Sequence, residues 1–174
     1  MTDPNLSFRV REAALLEGDF VLSSGKKSRF YVDKYLFSTE PRLLRELAYE
    51  ISGRLPADTE GLAGVELGAV PLVTAAALES GLPYGIVRKT VKGYGTSNRI
   101  EGHAPAGKKV VLIEDVVTTG TQALRAAEAL KEAGAEVLGI VAVLDRREKR
   151  SSRLGGYPFE ALLDMEDLGV TGGD

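Results

Sequence analysis

The sequence predicts an α/β fold: a central, mainly parallel β-sheet with helices packed on its faces. Helix and strand signals alternate along the chain, which is typical of βαβ units. Residues 110–113 and 137–144 are nearly continuous apolar runs, as expected for strands that helices cover on both sides. No internal repeat breaks the pattern, and a length of 174 residues suits one domain, so we expect residues 1–174 to form a single domain.

The N-terminal part of the chain is predicted to contain a helix, a pair of short strands and a second helix. Apolar residues fall near helical spacing over 6–17, and Gly18 follows as a stop signal. Two short strands at 20–22 and 30–32 lie on either side of a Ser-Ser-Gly turn. Residues 38–41 read Ser-Thr-Glu-Pro, a capping hydroxyl before a first-turn proline, which predicts that a helix begins there.

The rest of the chain continues the alternation of strands and helices. We expect strands at 61–65, 83–87, 109–113 and 136–144, and helices at 71–78 and 121–133. Residues 88–101 show neither a helical nor a strand period and carry several basic residues among glycines. We interpret them as a long mobile loop.

Composition excludes several classes of protein. Lys plus Arg is 22 and Asp plus Glu is 25, so the net charge of −3 disfavours a nucleic-acid coat protein. With no Cys there is no thiol nucleophile, and with His103 as the single His there is no poly-His metal site. The longest uncharged stretch, 67–78, is 12 residues and too short to span a bilayer. The first residues carry no signal-peptide pattern, so we expect a cytoplasmic protein.

The most informative segment is 110–122, where a buried strand ends in Glu114 and Asp115 before a Thr-Thr-Gly-Thr loop and a helix. Ligands of open α/β sheets bind beyond the carboxyl ends of the strands. The loop offers backbone N–H groups, hydroxyls and a helix N-terminus, which favour a phosphate. The two acids fit better as acceptors for sugar hydroxyls, so the segment indicates a ribose 5-phosphate. The alternative is a plain strand–turn–helix with a Thr cap and an exposed acid pair.

Residues 110–122 resemble the 5-phosphoribosyl-1-pyrophosphate (PRPP) signature of the type I phosphoribosyltransferases. The form Glu-Asp-Val-x-Thr-Thr-Gly is more similar to the orotate-using members than to the purine-salvage members. The resemblance covers nearly the whole chain: 24–33, 66–72 and 88–95 resemble the family's N-terminal hood, pyrophosphate loop and mobile catalytic loop. The sequence Asp-Arg-x-Glu at 145–148 resembles the segment that recognises the base.

This resemblance implies the type I phosphoribosyltransferase fold, with residues 1–35 contributing the hood and 88–101 the catalytic loop. It implies transfer of the ribose 5-phosphate of PRPP to N1 of orotate, in de novo pyrimidine (UMP) biosynthesis. It also implies Mg²⁺ bound mainly through PRPP and no direct metal ligand from the protein. The expected assembly is a homodimer with shared active sites, and no nucleic acid or membrane is expected as a partner. The alternatives are a purine or xanthine phosphoribosyltransferase and a non-catalytic PRPP-sensing regulator.

The resemblance also assigns roles to individual residues. The catalytic candidates are Lys92, Glu114 and Asp115. The residues expected to bind PRPP are Arg88, Lys89, Lys92, Tyr94, Glu114, Asp115, Val116, Val117, Thr118, Thr119, Gly120, Thr121 and Gln122. Orotate is expected to contact Thr118 and Arg146. The pyrophosphate loop is expected to comprise Glu66, Leu67, Gly68 and Ala69, with a strained or cis peptide that aims its N–H groups.

The basic loop is interpreted as a lid over the active site. Its cations would stabilise pyrophosphate more as it leaves than in the ground state. The resemblance implies that Arg88, Lys92 and Tyr94 reach the neighbouring subunit's site, while Lys89 serves its own. Many family members have His in place of Tyr94, and some have Lys in place of Gly68. Pyrophosphate binding is therefore expected to depend more on the lid and on magnesium.

Overall fold

The computed structural model describes residues 4–21, 25, 27–89, 99–103 and 105–170. Its strands are β1 (Leu15–Val21), β2 (Lys27–Val32), β3 (Gly61–Val65), β4 (Tyr84–Val87), β5 (Ile100–Gly102), β6 (Lys109–Val117), β7 (Glu136–Asp145), β8 (Arg153–Leu154) and β9 (Tyr157–Asp164). Its helices are α1 (Pro4–Ala14), α2 (Lys34–Thr39), α3 (Pro41–Ser52), α4 (Val70–Ser80) and α5 (Thr121–Glu132).

The central sheet is mainly parallel, as the sequence predicts. Its strand order is β5-β4-β3-β6-β7-β9-β8. The inner pairs β4/β3, β3/β6, β6/β7 and β7/β9 are parallel, whereas the outer strands β5 and β8 pair antiparallel with their neighbours. The C-terminal strands β8 and β9 carry no clear sequence signal and were not expected.

Helices cover both faces of the sheet, which explains the continuous apolar strands. Successive residues of a strand point to opposite faces, so β6 supplies two cores at once. Val111 and Ile113 pack on the side of α1, α3 and α4. Val110 and Leu112 pack on the side of α5.

The N-terminal hood differs from its prediction. The first helix ends at Ala14, and β1 begins at Leu15 instead of residue 20. The prediction of a helix over 6–17 was wrong at its end because Leu15 and Leu16 pair with Val32 and Tyr31 of β2. Gly18 lies inside β1, at an irregularity of this antiparallel pairing, and does not end the helix.

The next helix begins at Pro41, within the predicted segment, but the residue that caps it differs from the prediction. Ser38 is not its cap: it lies within the short helix α2, which Asp33 caps by accepting a hydrogen bond from the Tyr35 N–H. The cap of α3 is Glu40, whose carboxylate accepts from the backbone N–H groups of the first turn. A carboxylate at this position also interacts favourably with the helix dipole.

Part of the predicted loop at 88–101 is ordered as a strand. Residues Ile100–Gly102 form β5 and pair with β4, and the Arg88 N–H donates to the Arg99 carbonyl at 2.8 Å. The described ends of this segment therefore extend the sheet. No helix among the described residues is long and apolar enough to cross a membrane.

Candidate active site

The candidate site lies at the carboxyl ends of β3 and β6, where the chain changes direction across the sheet. From β3 the chain passes through α4 to β4 on one side, whereas from β6 it passes through α5 to β7 on the other. Such a switch point opens a crevice for ligands in α/β sheets. Pairing of β3 with β6 stops at Gly64 and Ile113, but β6 continues to Val117 with β7 alone. The acid pair lies in this extension.

Both acids of the pair are buried, with exposed fractions of 6% for Glu114 and 3% for Asp115. The alternative of an exposed acid pair in a plain turn is therefore wrong. The Asp115 N–H donates to Glu114 Oε1 at 3.1 Å, and the Val116 N–H donates to Asp115 Oδ1 at 2.6 Å. Asp115 Oδ2 forms an ion pair with the Lys34 ammonium at 2.7 Å.

The environment of the pair determines its charge. Burial, followed by the negative charge of Asp115, raises the pKa of Glu114 to about 8. Burial lowers the pKa of Lys34, but the contact and charge of Asp115 outweigh burial, so the net pKa is raised above its ordinary value. Near neutral pH, Glu114 is thus largely protonated and Lys34 is charged. Glu114 can then donate as well as accept a hydrogen bond.

The predicted pyrophosphate loop, Glu66 to Ala69, connects β3 to α4 beside these acids. The Glu66–Leu67 peptide is cis, as the resemblance implied. The Glu66 side chain accepts a hydrogen bond from the Lys89 N–H at 2.5 Å, which ties the loop to the start of the basic segment. A Cβ built on Gly68 would lie 1.6 Å from Asp115 Oδ2, so the loop backbone touches the acid directly.

The predicted phosphate loop follows β6 and leads into α5. Gly120 is the N-cap residue of α5, with φ of 79°, and provides no side-chain cap, while the Thr121 N–H donates to Thr119 Oγ1 at 3.3 Å. The hydroxyls of Thr119 and Thr121 lie 2.9 Å apart, and both residues are exposed, as are Thr118 and Gln122. This combination of hydroxyls and a helix N-terminus suits a phosphate.

The predicted base-recognition segment lies beside the phosphate loop. The Arg146 N–H donates to the Val117 carbonyl at 2.8 Å, so Arg146 and Thr118 begin at adjacent strand ends. The structure thus brings together both residues expected to contact orotate.

Sequence reasoning missed two charged residues near this crevice. Arg147 holds Asp145 through both carboxylate oxygens, donates to the carbonyls of Ser151 and Arg153, and lies 4.2 Å above the Phe159 ring. The second is Lys34, described above. Neither residue belongs to a motif with a known spacing. In the sequence, Arg147 is one of several basic residues in a row, and nothing there distinguishes it from its neighbours.

The predicted lid is described only at its ends. Arg88 lies 3.8 Å from Glu101, and Lys89 contacts the pyrophosphate loop through its backbone. The lid residues Lys92 and Tyr94 lie outside the described part of the chain. Their expected roles stay predictions.

Comparison with known proteins yields consistent matches. The phosphoribosyl transferase domain model matches residues 39–157. The orotate phosphoribosyltransferase of Natronomonas pharaonis is 46% identical over 171 residues, which cover 97% of this chain and 98% of that protein. The orotate phosphoribosyltransferase of Methanocella arvoryzae is 50% identical over 153 residues, 87% of each chain. The structure of Mycobacterium tuberculosis orotate phosphoribosyltransferase in complex with PRPP is 28% identical, with a TM-score of 0.79 over 96% of this chain and 98% of that chain.

Proposed function

The chain belongs to the orotate phosphoribosyltransferases, and on that premise we propose how the residues of its crevice carry out the reaction. The chain transfers the ribose 5-phosphate group of PRPP to N1 of orotate, which yields orotidine 5′-monophosphate and pyrophosphate. The relatives favour this activity over a purine or xanthine phosphoribosyltransferase and over a non-catalytic regulator. One observation carries the assignment of roles: the phosphate loop, the buried acids, the pyrophosphate loop and Arg146 all lie at the carboxyl ends of β3, β6 and β7.

In this proposal the 5′-phosphate binds at the N-terminus of α5. Residues 118–122 contribute hydroxyls and backbone N–H groups, and no acidic side chain lies within that stretch. Val116 and Val117 contribute backbone only, since Val117 is buried in the core on the α5 side and Val116 packs against the core on the opposite face of the sheet. The ribose hydroxyls reach the next two groups along β6, Glu114 and Asp115. One strand–loop–helix unit thus offers hydrogen-bond donors to the phosphate and carboxyl groups to the ribose diol.

The reaction needs position and charge and no protein nucleophile. The C1–O bond to pyrophosphate breaks and its electron pair leaves with the pyrophosphate oxygen, so the ribose becomes oxocarbenium-like. N1 of orotate forms the new bond from the opposite face and gives up its proton. The carboxylate of Asp115 stabilises the positive charge that develops on the sugar. Binding both substrates in one crevice supplies the rest of the rate enhancement, because it holds the reacting atoms in the required orientation.

Orotate recognition is assigned to Arg146 and Thr118. Orotate is a planar anion, and a guanidinium binds a planar carboxylate through paired hydrogen bonds. Arg147 supports this role indirectly, because its contacts with Asp145, Ser151 and Arg153 hold the segment that carries Arg146.

The lid is proposed to close over pyrophosphate with Arg88, Lys89, Lys92 and Tyr94. Its closure would exclude water, which otherwise hydrolyses the activated sugar. Support comes from the two described members of this set, which begin the segment directly beside the pyrophosphate loop.

We propose that Mg²⁺ would be held mainly by PRPP, without a direct ligand from the protein. Of the two carboxylates in the crevice, Asp115 is paired with Lys34 and Glu114 has a raised pKa, so this donor pair suits a diol better than a directly bound cation. When bound, the metal neutralises charge on the pyrophosphate. The protein residues contribute the diol contacts and the cationic surroundings.

We also propose that the chain forms a cytoplasmic homodimer through α4 and the segments that flank the lid. Helix α4 is mainly apolar, with Thr74, Glu79 and Ser80 as its polar residues, and Leu78 on it is 83% exposed. A mainly apolar helix is expected to be largely covered by other protein surface. Leu78 borders a groove together with Leu82, Tyr84 and His103, next to β5. A cytoplasmic location agrees with charged substrates that do not cross membranes unaided.

The activity is tested by mixing the protein with orotate, PRPP and Mg²⁺ and following the loss of orotate absorbance. We expect turnover with orotate and none with hypoxanthine or xanthine as acceptor. Turnover with a purine and not with orotate would reverse the assignment of the base pocket. Arg146→Ala should raise the KM for orotate and leave the KM for PRPP nearly unchanged.

The ribose contact is tested by Asp115→Asn, with Asp58→Asn as a matched control at an exposed ion pair with Lys109. Loss of a positioned charge should lower kcat by roughly 10²–10³-fold in Asp115→Asn. The control should keep full activity. Near-normal kcat in a folded Asp115→Asn protein would remove the ribose-binding assignment.

A further inference from the structure

Lys34 brings a positive charge to the point where the pyrophosphate loop meets the buried acids. Its Nζ lies 2.7 Å from Asp115 Oδ2. A Cβ built on Gly68 would lie 1.6 Å from that oxygen and 3.1 Å from Lys34 Nζ. The loop backbone, the carboxylate and the ammonium therefore share one point of the crevice, and a side chain at position 68 has no room there.

The backbone at Lys34 is held firmly, while its charged end is accessible. The Asp33 N–H donates to the Ala14 carbonyl at 2.9 Å, and Asp33 Oδ1 accepts from the Tyr35 N–H at 3.0 Å. These bonds fix the start of α2 against the hood. The Lys34 side chain is 33% exposed. Because the lysine side chain has a flexible four-carbon stem, its ammonium can move between neighbouring anions while the backbone stays in place.

Two other cations near the crevice, Arg147 and Arg88, have acidic partners of their own. Arg147 is held by Asp145 at 2.8 Å, and Arg88 lies 3.8 Å from Glu101. Within the described residues, Lys34 is the cation that contacts both Asp115 and the surroundings of Gly68. Its partner Asp115 is also the group that the proposed function assigns to a ribose hydroxyl.

We infer that Lys34 is a pyrophosphate ligand of this enzyme, which Asp115 holds as its ion-pair partner until PRPP binds. The inference rests on the proposed function and adds a cation from α2 to the pyrophosphate loop. When a ribose hydroxyl donates to Asp115, the carboxylate gains a new partner and the ammonium is released towards the pyrophosphate across Gly68. No proton moves: Nζ stays protonated, and its charge offsets the negative charge that pyrophosphate gains as the C1–O bond breaks.

The first test measures binding of inorganic pyrophosphate with Mg²⁺ by calorimetry to the wild-type protein and to Lys34→Met and Lys34→Arg. Lys131→Met, in the last turn of α5, is the matched control. Loss of a charge-assisted contact should weaken pyrophosphate binding in Lys34→Met by roughly 10- to 100-fold. Lys34→Arg should keep most of the affinity, and binding of orotidine 5′-monophosphate should change less than threefold in either variant. Equal weakening for both ligands would mean a structural role and overturn the inference.

The second test uses Asp115→Asn alone and combined with Lys34→Met, which removes both charges and leaves no unpaired acid. Without its partner, Lys34 is released, so Asp115→Asn should bind pyrophosphate at least as tightly as the wild type although its kcat falls. Adding Lys34→Met should then remove that affinity. If the double variant binds pyrophosphate as tightly as Asp115→Asn, Lys34 is not a ligand.

Kinetics distinguish this inference from the function on which it rests. If the wild-type protein does not convert orotate with PRPP, the proposed function fails. If the wild type is active and Lys34→Met keeps the wild-type KM for PRPP and affinity for pyrophosphate, only the role of Lys34 fails. The expected result is an active wild type and a Lys34→Met protein with a raised KM for PRPP and an unchanged KM for orotate.

Discussion

Glu114 carries its proton to unusually high pH because it is buried beside a second carboxylate. Its pKa is about 8 in the folded chain, against an ordinary value of 4.5. Between these values the folded chain binds a proton that the unfolded chain has released. The stabilisation from this proton is complete below about pH 4.5 and is lost as the pH rises to about 8.

Glu114→Gln should remove this pH dependence, since an amide does not titrate. In the wild type, titration of Glu114 should lower the free energy of unfolding by up to about 1.4 kcal/mol per pH unit between pH 5 and 8. The variant should not show this contribution to the pH dependence. Urea unfolding at pH 5, 6, 7 and 8 measures the difference, with the exposed Glu132→Gln as control. Parallel stability curves for wild type and Glu114→Gln would contradict the raised pKa.

In the proposed function, Arg147 influences orotate binding through the segment that it holds. Arg147→Lys keeps the charge but cannot bond both Asp145 oxygens and two carbonyls at once. We expect the KM for orotate to rise several-fold, the KM for PRPP to stay unchanged, and stability to fall by about 2–3 kcal/mol. Arg150→Lys, at a more exposed ion pair with Asp164, is the control and should cost less than about 1 kcal/mol. A raised KM for PRPP instead would show that this segment does not serve the base.

At the scale of elements, the crevice exists because two neighbouring strands have different lengths. β6 runs past the last residue of β3 that pairs with it, so on that side Asp115 lies against the loop between β3 and α4, while β6 stays paired with β7 on its other side. That loop must approach closely, and Gly68 permits the approach because it has no Cβ.

Gly68→Ala should therefore displace the Asp115 carboxylate. A Cβ at 1.6 Å from Oδ2 and 2.7 Å from Cγ forces the acid or the loop to move. We expect kcat/KM for PRPP to fall at least about tenfold in a protein that remains folded by circular dichroism. Gly53→Ala is the control, because its Cβ would meet its nearest atom at 3.6 Å. Wild-type kinetics in Gly68→Ala would mean that the contact between loop and acid has no part in binding PRPP.

At the scale of the whole molecule, α4 connects the active site to the proposed dimer. It begins at the pyrophosphate loop and exposes Leu78 near its other end. A lid that serves a neighbouring site requires that neighbour, so assembly and catalysis should be lost together.

Leu78→Glu should convert the dimer to a monomer, because it places a charge in an apolar interface. Sedimentation velocity measures the assembly, and the orotate assay should show a loss of turnover of roughly 10²–10³-fold in the monomer, as for the loss of a positioned charge. Phe8→Glu, at an apolar residue of α1 that is 62% exposed, is the control and should remain a dimer. A fully active Leu78→Glu monomer would exclude shared active sites.

The sequence by itself determined the mainly parallel sheet and the segments that form the crevice. Both are local properties: strands covered on two faces are apolar at every position, and the motif at 110–122 joins its acids and hydroxyls within one strand–loop–helix unit. The expected grouping of Thr118 with Arg146 came from the family resemblance, and it agrees with the rule that ligands of such sheets bind beyond the carboxyl ends of the strands.

Only the tertiary structure decided the features that depend on residues distant in the chain. The local sequence predicts helix at Leu15 and Leu16, but in the structure both residues pair with β2. Strand pairing outweighs their local helical preference. The ion pair of Lys34 with Asp115 joins α2 to β6, and no local period connects them. Burial of the acid pair, and with it the raised pKa of Glu114, likewise arises from packing between elements, because the cost of desolvating a charge depends on what surrounds it in space.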